Sequence, residues 1–135
     1  MSFAIDNKDL SGKVIAAAVA VHRELGPGFL ESIYEAALCL ELDALGIPYE
    51  RQKTIPVLFR SSIVGEHRLD LLVEEKLIVE LKAVADLDKM HFSIVRSYLK
   101  ATNLQDALLL NFATMPLTIK RVGCQRNLDA NGFSL

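Results

Sequence analysis

The run "LDLLVEEKLIVELKAV", residues 69–84, constrains the fold more than any other part of the chain. Two apolar stretches flank Glu74, Glu75 and Lys76, a polar break short enough for a hairpin. The pair therefore reads as two central antiparallel strands. Charges nevertheless interrupt them at Asp70, Glu80 and Lys82. Side chains alternate faces along a strand, so Glu80 and Lys82 share one side while Leu81 points to the other. With the turn at 74–76, position 70 falls across from about position 80, and the Asp70 carboxylate approaches that of Glu80.

Two neighbouring carboxylates repel, and each raises the other's pKa unless a cation lies between them. A divalent metal removes that cost. Asp70, Glu80 and the backbone oxygen of Leu81 offer a partial oxygen shell suited to Mg²⁺, with water and phosphate oxygens left to complete it. Lys82 stands beside that shell, placed to orient or help deprotonate an attacking water and to offset charge developing on a phosphate. The competing reading is an ordinary ion pair between Glu80 and Lys82 at a solvent edge, with Asp70 at a strand entrance. Spacing alone leaves both open.

The remaining elements follow from periodicity. From Leu10 to Leu25, Val14, Ala18, Val21 and Leu25 form one helical stripe, ended by the "GPG" at 26–28. A second helix is expected from about Leu30 to Leu45, with Ile33, Ala37, Leu40 and Leu45 or their neighbours inward and Gly46 closing it in the left-handed conformation. "YERQKTIPVLFR" (49–60) is rich in β-formers, and Pro56 marks it as an edge strand or a bulge. Met90 to Ala101 reads as a helix, 106–112 as a buried strand, and 117–122 as a last strand after a turn at Pro116. The order αα-βββ-α-ββ gives an α/β (α+β) fold, a mixed central sheet flanked by helices, in one domain over residues 1–122. Residues 123–135, polar and glycine-containing, read as a loose tail.

The formal net charge of −2 excludes a protein that coats nucleic acid through a basic surface, so any phosphate-binding patch must be local. No apolar run approaches the roughly 20 residues of a membrane span, and the N-terminus lacks a signal peptide's basic start and greasy segment, so the expected location is cytoplasmic, with no membrane partner. Cys39 and Cys124 lack the spacing of a zinc site and read as buried free thiols.

"GFLESIYE" reads as G-x-x-E-x-x-Y through Gly28, Glu31 and Tyr34, and together with "HRLDLLVEEKLIVELKAV", "SYLKATNL" and "LLLNFATMPLTIKRV" it resembles the GxxExxY proteins, a branch of the PD-(D/E)xK nuclease-like superfamily. The resemblance runs from about Val14 to Val122. It implies a restriction-endonuclease-like core in α-β-β-β-α-β order and metal-dependent nuclease chemistry. Residue by residue, Asp70 takes the place of the motif aspartate, Glu80 of the (D/E) and Lys82 of the K. Glu31 matches the first-helix glutamate. The implied cofactor is Mg²⁺ or Mn²⁺, and the implied partner is nucleic acid, DNA ahead of RNA. A homodimer that cuts both strands is left open.

One position departs from the pattern. Related sequences tend to read H-x-x-Q-x-x-x-Y-L after the E-x-K strand, where this chain reads "HFSIVRSYL" with Ile94 in place of the glutamine. His91 and Arg96 are candidates to substitute in part for support of the site or a phosphate. Glu31 and Glu35 share a helix face and either can reach toward a metal patch, against the simpler reading of acids placed at a helix start. Tyr34 reads as a half-buried aromatic or a substrate contact. The function that follows is hydrolysis of a phosphodiester. The alternative is a nuclease-fold module that binds or regulates with weak or no catalysis.

Overall fold

A computed structural model describes residues 7–124 of the chain. Helices α1 (Asn7–Leu25) and α2 (Glu31–Ala44) precede strands β1 (Tyr49–Phe59), β2 (Ser62–Val73) and β3 (Leu77–Lys82). Helix α3 (Lys89–Thr102), β4 (Asp106–Asn111) and β5 (Thr118–Gly123) complete the order. The strands form one sheet in sequence order, β1-β2-β3-β4-β5. Only β3 and β4 run parallel, and the crossover between them is α3. The αα-βββ-α-ββ order and the mixed sheet flanked by helices are as the periodicity indicates.

Strand alternation sorts the sheet into two apolar faces. Leu71, Val73, Leu77, Val79, Leu81, Leu108 and Leu110 face α1 and α2 in one core. Leu72, Ile78, Ala107, Leu109 and Val122 meet Val95, Tyr98 and Leu99 of α3 in the other. Each aliphatic side chain fully buried in this way contributes about 1.5–3 kcal/mol. Both cores press on β3, whose first five residues are all buried. Paired on both edges and covered on both faces, it carries Glu80 and Lys82.

In α1 the stripe holds: Val14, Ala18 and Val21 are buried, and Leu25 packs at the core's margin. Gly26 ends the helix at φ +69, with its N–H donating to the His22 carbonyl. In α2 the inward face is rotated from the expected one. Tyr34, Glu35, Leu38, Cys39 and Leu42 are buried, whereas Ile33, Leu40 and Leu45 are 41%, 70% and 54% exposed. The rotation has two causes. Tyr34 stacks on Phe112 at 4.5 Å between ring centroids, and Glu35 is drawn in by Arg51. Gly46 stands at φ +68 after the helix, as expected.

β1 is an edge strand, and its register against β2 shifts just after Pro56, between Val57 and Leu58. β2 begins at Ser62, well ahead of the apolar run that opens at Leu69, because Arg60 and Ser61 both adopt positive φ and close a tight hairpin. The second hairpin turns at 74–76, with Glu74 and Glu75 also at positive φ. Gly123, expected to open the tail, pairs with Asp106 as the end of β5. Cys124 is exposed rather than buried, and its N–H donates to the Gln105 carbonyl. The rest of the expected tail, 125–135, lies outside the described residues, as do residues 1–6. Among the described residues no helix is long and apolar enough to cross a membrane.

Candidate functional site

The β2–β3 ladder runs Val73↔Leu77, Leu72↔Ile78, Leu71↔Val79. One more step sets Asp70 opposite Glu80, but that step does not pair. On the other side of β2, pairing with β1 also skips Asp70, passing from Arg51↔Leu71 to Lys53↔Leu69. Leu69 packs into the α3-side core and Leu71 into the opposite one, although residues two apart in a regular strand share a face. The alternation therefore slips at Asp70, which leaves its carboxylate free of both ladders. Asp70 Oδ2 accepts the N–H of Leu81 at 2.9 Å, so the acid is bonded to β3 one residue past Glu80.

Glu80 is 4% exposed. Burial pushes its pKa up to about 8, the neighbouring Asp70 charge adds to the rise, and Lys82 partly opposes it. A hydrogen bond with Asp70 also favours the protonated form. Glu80 Oε2 lies 3.5 Å from Lys82 Nζ, while buried Oε1 has no hydrogen-bond partner. Tyr98 of α3 is close enough to feel both acids, and burial followed by those two charges pushes its hydroxyl up to about 12. Tyr98 also meets the His67 ring edge-on at 4.8 Å, and His67 Nε2 lies 3.2 Å from Ser97 Oγ.

Asp70, Glu80 and Lys82 are thus brought together. The other candidates divide. Glu31, at the start of α2, accepts the Ala83 N–H at 3.2 Å, one residue past Lys82. It docks on the end of β3, and among the described residues no group of three or more His, Cys, Asp or Glu side chains converges as a metal cluster. Tyr34 is fully buried; its hydroxyl donates to the Gly26 carbonyl at 2.6 Å and accepts the Phe29 N–H at 3.1 Å. It fixes the loop that delivers Glu31 and faces no open surface. Glu35 accepts from Arg51 Nη2 at 2.9 Å and Nε at 3.1 Å, and from Gln52 Nε2 at 2.8 Å.

His91 and Arg96 do not support the acids. The His91 ring Nδ1 accepts the Asp88 N–H at 3.0 Å, and Asp88 Oδ1 accepts from Met90 and His91 N–H, a reciprocal cap on α3. Arg96 lines a cavity with Phe92, Arg121 and Cys124 on the β5 side of α3. Ile94 packs at the margin of the α3-side core.

A profile described as the PD-(D/E)XK nuclease superfamily matches residues 8–122. The chain belongs to that superfamily. No curated protein matches it. Among solved structures it is similar to the crystal structure of SSO0001, with a TM-score of 0.55 at 13% identity over 84% of this chain. It spans 60% of that chain's length. At such identity the likeness carries the restriction-endonuclease-like fold alone.

Three residues at the site were not singled out from the sequence. Tyr98 sits in a run that carries the family resemblance, and a tyrosine one helical turn from Ile94 was a usable signal. Arg51 and Gln52 gave none, since "ERQK" reads only as strand. Gln52 Nε2 reaches both Glu35 Oε1 and, at 3.4 Å, Asp70 Oδ1.

Proposed function

We propose that this nuclease-superfamily chain hydrolyses phosphodiester bonds in DNA with the help of Mg²⁺ or Mn²⁺. One observation carries the reading: Glu80 Oε1 is buried, without a hydrogen-bond partner, beside a second carboxylate. A buried carboxylate oxygen with no donor is costly unless something positive meets it. The oxygen donors Asp70 and Glu80, with the Leu81 carbonyl, suit a hard divalent cation. Those three groups would hold the ion, which when bound polarises a phosphoryl oxygen and acidifies water.

The chain's own groups do the rest. Lys82 sets an ammonium beside Glu80, where it orients the attacking water and offsets charge that grows on the phosphate. Asp70 is held by the Leu81 N–H, so it is preorganised before substrate arrives. Burial of Glu80 on the α3 side of β3, the face it shares with Ile78, keeps the group that meets the cation from relaxing away. Gly28, Glu31 and Tyr34 support placement in the GxxExxY branch, and the implied setting is cytoplasmic.

A second reading, a binding or regulatory module, is favoured by Ile94 at the glutamine position and by the lack, among the described residues, of a third converging carboxylate. Mn²⁺ calorimetry and plasmid nicking on the wild type, Asp70→Asn and Lys82→Ala separate the two. The nuclease reading expects metal binding lost in Asp70→Asn, and cleavage at least about 100-fold slower in both variants. Metal binding without cleavage in the wild type supports the module. Equal behaviour of wild type and Asp70→Asn refutes the site. An RNA substrate run alongside tests the choice of DNA, and the ratio of linear to nicked plasmid reports whether two copies act together.

A further inference from the structure

Gln52 occupies a conformation that a strand residue seldom adopts. Its φ is +50, in the left-handed region where a side chain other than Gly, Asn or Asp is uncommon. It stands in edge strand β1 across from Asp70, the one β2 residue in that stretch that pairs with neither neighbour. Backbone strain of this kind persists only where surrounding contacts impose it, and it concentrates at functional sites.

The contacts explain the conformation. Consecutive residues of a regular strand point to opposite faces, yet Arg51 and Gln52 both reach the carboxylate of Glu35. The positive φ is what turns Gln52 to the same side as Arg51. Glu35 is buried and held by the Arg51 guanidinium, so it is a fixed acceptor. Anchored there at 2.8 Å, the Gln52 carboxamide directs its other N–H at Asp70 Oδ1, 3.4 Å away. Asp70 is then held from two sides, by Gln52 on Oδ1 and by the Leu81 N–H on Oδ2.

We infer that Gln52 is a positioning residue: the Arg51–Glu35–Gln52 chain fixes the orientation of the Asp70 carboxylate before any cation binds. The inference rests on the proposed role of Asp70 for its link to catalysis, but the geometry it asserts exists in the metal-free protein. A glycine is unstrained at φ +50, so Gln52→Gly removes the carboxamide without adding strain. Gln52→Asn retains a side chain that tolerates this region but is one methylene too short to join Glu35 and Asp70.

The deciding experiment is amide hydrogen exchange in the presence of a chelator. It compares Leu81, whose N–H is bonded to Asp70, with Val79 two residues back in the same strand. In both variants the Leu81 rate relative to Val79 rises about tenfold, toward the value in Asp70→Ala, while the Gln52→Gly melting temperature equals or exceeds that of the wild type. With Mn²⁺ the Gln52→Gly dissociation constant rises roughly tenfold, in the range for loss of a group that orients a ligand, and kcat falls while KM for DNA stays put. An unchanged Leu81-to-Val79 ratio in both variants overturns the inference whatever the nuclease assay shows. A raised ratio with no effect of Asp70→Ala on Mn²⁺ binding upholds Gln52's hold on Asp70 and refutes the metal site instead.

Discussion

Glu80→Gln in metal-free protein is the sharpest perturbation of the site, because it removes a charge that the fold buries and changes little else in shape. The ordinary carboxyl value is 4.5 and folding raises that of Glu80 to about 8. Between those values the folded chain keeps a proton that the unfolded chain has released. The folded state binds more protons, so stability falls as pH rises through this window. It is fully present below pH 4.5 and lost by about pH 8. At 1.36 kcal/mol per pH unit the ceiling is about 5 kcal/mol. The glutamine variant escapes this loss but forfeits the ion pair with Lys82, so the net gain at pH 8.5 is roughly 2–4 kcal/mol, or about 10 °C in melting temperature. Thermal melts in chelator from pH 5 to 9 are the assay. The wild type and variant should be close at pH 5 and diverge steadily above it. Mg²⁺ added at pH 8 should then stabilise the wild type and leave the variant unmoved. Parallel curves for the two proteins across the range would show that Glu80 carries no buried charge to relieve, and the reasoning from its unpartnered oxygen would fall with it.

Tyr34→Phe keeps the stack on Phe112 but loses the bonds to the Gly26 carbonyl and the Phe29 N–H, so urea unfolding should show a loss of about 1–3 kcal/mol, with slower cleavage as Glu31 loosens. His91→Ala removes half of the α3 cap; its expected cost is about 1 kcal/mol in the same measurement, with plasmid nicking at the wild-type rate.

Legibility followed the range over which each contact acts. The hairpin at 74–76 and the facing of positions 70 and 80 are local consequences of a short turn and a period of two, and both were readable from one run of sequence. The same holds for α1, whose stripe packs against the sheet as spaced. Helix α2 was misread because its apolar residues allow two faces. The choice between them is made outside the helix, by Phe112, far away along the chain, and by Arg51 in the next element, through a ring stack and a salt bridge. Ile33 and Leu40 lose that contest and face outward.

The chemistry of the site divides along the same line. Glu80 and Lys82 are neighbours because any strand makes them so, and the pattern says as much before folding is considered. What converts them from a surface ion pair to a buried one is α3 packed across their face, which leaves Lys82 a quarter exposed and Glu80 nearly sealed. No spacing rule states that. Gln52 lies further still from legibility, since the alternation rule that revealed Glu80 and Lys82 denies Gln52 a shared target with Arg51. Two departures from strand regularity, the slip at Asp70 and the left-handed turn at Gln52, face each other across the β1–β2 pair. Each frees a side chain that a regular sheet would hold in register, and the two freed groups meet. A sheet that obeyed its own pattern throughout would have kept the Asp70 carboxylate out of this contact.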